Sequence, residues 1–138
     1  MTNQTGVTMP EVMITVAIVG ILAGIALPNY QAYVQRSTLS EAFDSLSAFR
    51  LRMEQAFHNN GNYGVGACAV ALPAATENFT FACNLTSAGQ NYLLRANGVG
   101  RMAGYAYSVD GNGQHVTTAF PGHDRLPASC WMSKKGEC

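Results

Sequence analysis

The chain has 138 residues, enough for one domain with a tail. Its eight basic and eight acidic side chains give a formal charge of zero, which argues against an extended nucleic-acid-binding surface but leaves room for a local basic patch. Aliphatic residues concentrate at the N-terminus, whereas glycine, asparagine, threonine and aromatic residues dominate after residue 60.

An uncharged, mostly apolar segment runs from Val12 to Leu27 and is preceded directly by Glu11. As a helix its sixteen residues span about 24 Å, and uncharged flanks on both sides lengthen it enough to cross a hydrocarbon core of about 30 Å. A carboxylate at the edge of such a segment is costly and usually marks a function. A cleaved signal peptide is an alternative, but no basic residue precedes the apolar run.

Residues 6–11 read GVTMPE, and together with the apolar run that follows they resemble the N-terminus of type IV prepilins, which carry a class III signal. In that family a prepilin peptidase cuts after the glycine and methylates the new amino terminus. The resemblance therefore implies cleavage between Gly6 and Val7, methylation of Val7, and a fifth mature residue, Glu11, of functional importance. The chain departs from the usual motif at Val7, at Pro10, and in a leader without lysine or arginine.

An unpaired carboxylate in hydrocarbon would protonate or move to the interface. The resemblance implies that Glu11 pairs with the amino terminus of a neighbouring subunit and sets the register of assembly. The alternative is an interfacial glutamate without a partner. The pattern predicts a helix from about Val7 to about His58, with Pro10 in its first turn, where proline costs little.

Three further residues of this helix are candidates for a role in assembly. Gly20 and Gly24 form a GxxxG pattern, which permits close approach between membrane helices. Pro28 is expected to kink the helix or to free a backbone carbonyl. We therefore predict that residues 20–28 unwind locally when the subunit passes from the bilayer to a filament.

The apolar pattern after residue 38 predicts an amphipathic helix lying on a sheet. Its stripe consists of Leu39, Phe43, Leu46, Phe49, Met53 and Phe57. Four strands are predicted over 79–84, 92–97, 104–109 and 115–120, and the turn-rich segments between them indicate an antiparallel meander. The predicted fold class is α+β, a long N-terminal helix packed on a four-stranded antiparallel sheet, and it matches the pilin fold in order and size.

Four cysteines without CxxC spacing indicate two disulfides in an oxidising compartment and argue against a zinc site. Four cysteines allow three pairings, of which the pairing of sequence neighbours, Cys68 with Cys83 and Cys130 with Cys138, is the simplest. The segment CWMSKKGEC at the C-terminus also resembles the disulfide-bounded region of pilins.

No catalytic site, metal site or cofactor is predicted, because the three histidines lie far apart and no nucleophile motif or glycine-rich phosphate loop is present. Lys134 and Lys135 lie close in sequence to Trp131, and such a group is a candidate contact for DNA phosphates and bases. The alternative is a solvated loop in which Glu137 offsets one of the lysines.

The resemblance thus implies a leader over residues 1–6, a membrane and filament-core segment over 7–34, and a periplasmic or extracellular globular domain over 35–138. The resemblance further implies a structural subunit of a type IV pilus, most like a minor pilin, that serves assembly, twitching motility, adhesion or DNA uptake. It is predicted to lie in the inner membrane, with its globular part in the periplasm, before it enters the extracellular pilus.

The predicted partners are other pilin subunits, the prepilin peptidase, the inner membrane, the pilus assembly machinery and, as a further candidate, DNA. The alternatives are a major pilin, a type II secretion pseudopilin, and a secreted disulfide-bonded binding domain behind a signal peptide.

Overall fold

The computed structural model describes residues 6–138, which divide into two compact units, one ending at Gln35 and one comprising Arg36–Cys138. Residues 1–5 of the predicted leader lie outside the described residues. The elements are a helix, α1 (Met9–Asn60), and the strands β1 (Phe79–Thr86), β2 (Asn91–Gly98), β3 (Ala106–Asp110) and β4 (His115–Ala119). The long helix and four strands confirm the predicted fold class.

The first unit has no buried residue among positions 6–35. Large apolar side chains are exposed all around the helix, with Ile14, Ile21 and Leu27 each more than 60% accessible. The helix continues through Pro28 without interruption, and the predicted kink or freed carbonyl at this residue stays a prediction. Pro28 removes only one hydrogen bond. Unwinding of residues 20–28 in a filament stays a prediction.

In the second unit α1 buries one face against the sheet, as the apolar pattern predicts. The buried residues are Leu39, Ala42, Leu46, Phe49 and Met53, at alternating steps of three and four. Ala42 is an addition to the predicted stripe, whereas Phe43 and Phe57 lie partly buried at its margins. The helix ends two residues later than predicted, and Gly61 follows it in the left-handed conformation with its N–H bonded to the carbonyl of Phe57.

The sheet has the order β1-β2-β3-β4 with every pair antiparallel, which confirms the predicted meander. One inward row follows the register from Cys83 through Leu94 and Val109 to His115. Alternate residues of β2 are fully buried, so one face of the sheet forms the core with α1.

Loop residues are bonded to both outer strands of the sheet. Beside β1, Cys68 of the preceding loop is bonded to Cys83, which confirms that pairing, and the N–H of Thr76 donates to the carbonyl of Phe79 at 2.9 Å. Beside β4, Thr117 and Ala128 exchange two backbone hydrogen bonds of 2.9 and 3.0 Å.

Candidate functional site

The start of α1 is organised around Thr8. Its carbonyl accepts the N–H groups of Glu11 at 3.1 Å and of Val12 at 3.2 Å, while its own N–H and hydroxyl both donate to Glu11 Oε2 at 3.4 Å. Pro10 is the second helical residue and has no N–H to satisfy. In this first turn, the N–H of Met9 is left without an acceptor among the described residues.

The helix begins at Met9, so the predicted start at Val7 is wrong by two residues. Thr8 takes the position that precedes the helix, and Glu11, three residues on, reaches back to its N–H as in a capping box. Pro10 is therefore the second residue of the helix and not the fourth. A threonine followed three residues later by a glutamate is the sequence pattern of a capping box, so the spacing of Thr8 and Glu11 indicates this helix start from the sequence alone.

Gly20 and Gly24 lie on the exposed helix of the first unit. A Cβ built on either glycine would meet no atom within 4 Å in the described chain. Packing inside this chain therefore does not require glycine at these positions. Gly6, at the predicted cleavage site, is likewise exposed, and a Cβ built on it would meet no atom of the described chain within 4 Å.

The C-terminal loop is closed by a bond between Cys130 and Cys138 and is held to the sheet through Met132. Met132 is 1% exposed, and its N–H donates to the hydroxyl of Thr117 at 2.9 Å. The same hydroxyl donates to the carbonyl of Cys130, and the hydroxyl of Tyr107 donates to the carbonyl of Met132 at 3.0 Å. The loop is thus fastened to the core at one end, before its exposed part begins.

Trp131 is part of this fastening. Its ring stacks on Phe43 with centroids 5.2 Å apart and packs against His115 at 4.1 Å, and its Nε1–H donates to the carbonyl of Ser108 at 2.8 Å. The indole is half-buried and its N–H is occupied by the protein itself. In this conformation Trp131 supports the loop. The predicted stacking of a base on its ring stays a prediction.

The two lysines of the loop have different surroundings. Lys134 Nζ lies 2.9 Å from Glu137 Oε2, and this hydrogen bond and charge lower the pKa of the Glu137 carboxyl. Lys135 is exposed, and its Nζ lies 3.7 Å from the place that a Cβ on Gly122 would occupy. Lys135 therefore extends over the turn that follows β4, where no carboxylate of the described residues lies within 4.0 Å of it.

Among residues 6–138, no group of three or more histidine, cysteine, aspartate and glutamate side chains is placed to hold a metal ion. The apolar part of α1 is long enough to cross a membrane, and none of it is buried within the described chain. The features that remain to be explained are an uncovered apolar helix and a basic loop on a disulfide-bonded domain.

Comparison with known families identifies the family of the chain. Residues 1–27 match the profile described as "Prokaryotic N-terminal methylation motif", and residues 28–107 match "Type IV minor pilin ComP, DNA uptake sequence receptor". The chain belongs to this family of type IV minor pilins. The family and the fold are those of structural subunits.

Individual relatives agree with the assignment. The pilin is 38% identical over 95 residues to fimbrial protein EcpC of Eikenella corrodens, a match of 67% of this chain and 61% of that protein. It is 58% identical over 43 residues to a fimbrial protein of Moraxella nonliquefaciens, covering 31% of this chain and 28% of that protein. The matches thus span 61% or less of these relatives' lengths.

A solved type IV pilin from Shewanella oneidensis has a similar fold. It superposes with a TM-score of 0.54 at 19% identity, covering 71% of this chain and 98% of that one. At this identity the likeness concerns the fold alone.

Proposed function

We propose that this pilin is a minor subunit that is cut between Gly6 and Val7, anchored in the inner membrane by its apolar helix, and then transferred into a pilus. The observation that carries the proposal is that large apolar side chains of the first unit are exposed on every side of the helix. Such a surface requires either lipid or other apolar helices around it. The match to the methylation motif supports the processing step.

In the proposed assembly, Glu11 pairs with the methylated amine of a neighbouring subunit. Its carboxylate accepts two hydrogen bonds from Thr8, both 3.4 Å long, so its capacity to accept further bonds is not filled inside the chain. Gly20 and Gly24 support the same proposal, because the space that their side chains leave open is available to a neighbouring helix.

The assembly proposal is tested with the Glu11→Ala and Glu11→Gln variants. Both are expected to be cut, methylated and retained in the membrane, but to enter sheared pili at a level reduced at least tenfold, because neither supplies a charge partner for the neighbour's amine. Quantitative immunoblotting of sheared pili and membranes measures the ratio. Incorporation of Glu11→Ala at the normal level would show that the carboxylate does not direct assembly.

We further propose that the subunit contributes to DNA uptake through its C-terminal loop. Membership of a family described as receptors of DNA uptake sequences supports this role. Lys135 is the better candidate for a phosphate contact, because its ammonium lies on the surface while that of Lys134 is paired with Glu137. Trp131 contributes by holding the loop in place.

The DNA proposal predicts an order of effects among three variants. Lys135→Ala should weaken binding and reduce the dependence of log K on log salt by about one unit, the effect of losing one phosphate contact. Lys134→Ala should have a smaller effect, and Glu137→Gln should strengthen binding because it releases Lys134 and removes a negative charge. Fluorescence anisotropy with labelled duplex DNA measures all three. Equal affinity of wild type and Lys135→Ala would contradict the proposed contact.

The N-terminus of the mature protein separates this function from its rivals. Mass spectrometry should find a methylated Val7. A start near Leu27 would instead indicate a secreted domain behind a signal peptide. Deletion of the gene, followed by counting pili and measuring transformation, then separates assembly from DNA uptake, because loss of pili indicates the first and loss of transformation with normal pili indicates the second.

A further inference from the structure

The described residues at the predicted cleavage site are not helical. Gly6, Val7 and Thr8 precede α1, and Pro10 follows as its second residue. In an α-helix the N–H of each residue binds the carbonyl four positions earlier. The residue four positions after Gly6 is Pro10, and the carbonyl of Gly6 belongs to the peptide bond that is to be cut.

Proline has no N–H, and its ring collides with the carbonyl four positions earlier when a helix continues through it. Pro10 is therefore unable to bind the Gly6 carbonyl and resists extension of α1 by another turn. With an ordinary residue at position 10, an added helical turn would enclose the carbonyl of Gly6 in a backbone hydrogen bond.

We propose that Pro10 is a positioning residue for processing, which keeps the Gly6 carbonyl free and the Gly6–Val7 bond in non-helical backbone for the prepilin peptidase. This inference rests on the proposed cleavage. In the hydrolysis, the oxygen of water bonds to the Gly6 carbonyl carbon and the C–N bond breaks. Gly6 becomes the carboxylate of the leader, and the Val7 nitrogen takes up a proton and becomes the new amine.

Two observations support the inference. First, the hydrogen bonds of Thr8 also place the start of the helix after this residue. Its carbonyl accepts the N–H groups of Glu11 and Val12, and its N–H donates to the Glu11 carboxylate. Second, Gly6 has no neighbouring atom within 4 Å of an added Cβ, so the bond to be cut is not covered by the described chain.

The test compares Pro10→Ala with Pro10→Gly in the full-length precursor. Both variants lose the ring and regain an N–H, but alanine favours helix and glycine opposes it. Purified peptidase and precursor are mixed in detergent micelles, and the rate of appearance of the mature chain is followed by mass spectrometry. We expect Pro10→Ala to be cut about fivefold more slowly than Pro10→Gly, the factor that corresponds to their difference in helix propensity of about 1 kcal/mol, and Pro10→Gly to be cut within about twofold of wild type.

Hydrogen exchange on the uncut precursors supplies a readout that is independent of the peptidase. The amide of residue 10 should be protected in the Pro10→Ala variant and should exchange faster in Pro10→Gly. Equal slowing of cleavage in both variants would overturn the inference, because it would show that the peptidase reads the ring itself. Equal rates in all three proteins would overturn it as well. If wild type is not cut between Gly6 and Val7, the proposed processing fails and not merely the role of Pro10.

Discussion

The attachment of the C-terminal loop predicts a large effect from a small change, Thr117→Val. Valine keeps the shape of the side chain but removes the hydroxyl that accepts the N–H of Met132 and donates to the carbonyl of Cys130. Thr117 is completely buried and Met132 is 1% exposed, so water does not readily replace the lost partner of the Met132 N–H. The carbonyl of Cys130 belongs to a half-buried residue and is the easier group to satisfy.

A buried donor without a partner costs about 1–3 kcal/mol. Because Met132 N–H carries most of this penalty, we expect Thr117→Val to lower the free energy of unfolding by about 2 kcal/mol. For a unit of this size the loss corresponds to a fall of about 8–12 °C in Tm. Thr117→Ser is the matched control, since it keeps the hydroxyl and loses one buried methyl group, at a cost of about 1 kcal/mol.

The measurement is thermal unfolding of the full chain in detergent, followed by the fluorescence of Trp131, the only tryptophan. Its ring packs against Phe43 and His115, so its emission reports on the same attachment. The expected order of Tm is wild type, then Thr117→Ser, then Thr117→Val. A valine variant that is as stable as wild type, or more stable than the serine variant, would show that methyl packing and not hydrogen bonding holds the loop.

Three further predictions concern the globular unit. Ala88 lies in the turn after β1 at φ 53°, a left-handed conformation that costs a residue with a side chain about 1 kcal/mol, so Ala88→Gly should raise the unfolding free energy by about 0.5–1 kcal/mol in urea melts. Ala82→Gly, within β1, should instead lower it. Lys134→Ala should return the lowered pKa of Glu137 toward its ordinary value in an NMR titration; the contribution of this pair is fully present above the ordinary pKa and is lost as pH falls through the lowered pKa. Burial raises the pKa of Tyr107 above 10, so the stability of the fold should decline as pH rises beyond 10, and Tyr107→Phe should flatten this decline in alkaline unfolding measurements.

Much of the fold is predictable because its signals are local. Alternating apolar residues and glycine-rich turns define the four strands, and neighbouring strands joined by short turns pair in sequence order. The helical stripe is predictable for the same reason, since its period matches one face. Ala42 escapes the prediction because its small side chain gives little hydrophobic signal, although it is completely buried.

The candidate sites also differ in whether their signals are local in the sequence. The start of α1 is marked by residues three positions apart, Thr8 and Glu11, so the sequence carries enough information to place it. The role of Trp131 is different, because its partners Phe43, Ser108 and His115 lie 16 to 88 positions away and meet it only in the folded chain. A tryptophan beside two lysines therefore resembles an exposed binding group until the tertiary contacts are known.

The loop contacts on the two outer strands are most important for preventing aggregation when many copies of the chain lie close together. An open strand edge is a template for pairing with another strand, and at the concentrations of an assembling pilus it would compete with ordered helix contacts. The Cys68–Cys83 bond ties a loop to the middle of β1, and Ala128 occupies backbone groups of Thr117 in β4. Reduction of that disulfide is therefore expected to promote irregular sheet-mediated aggregates before it unfolds the domain.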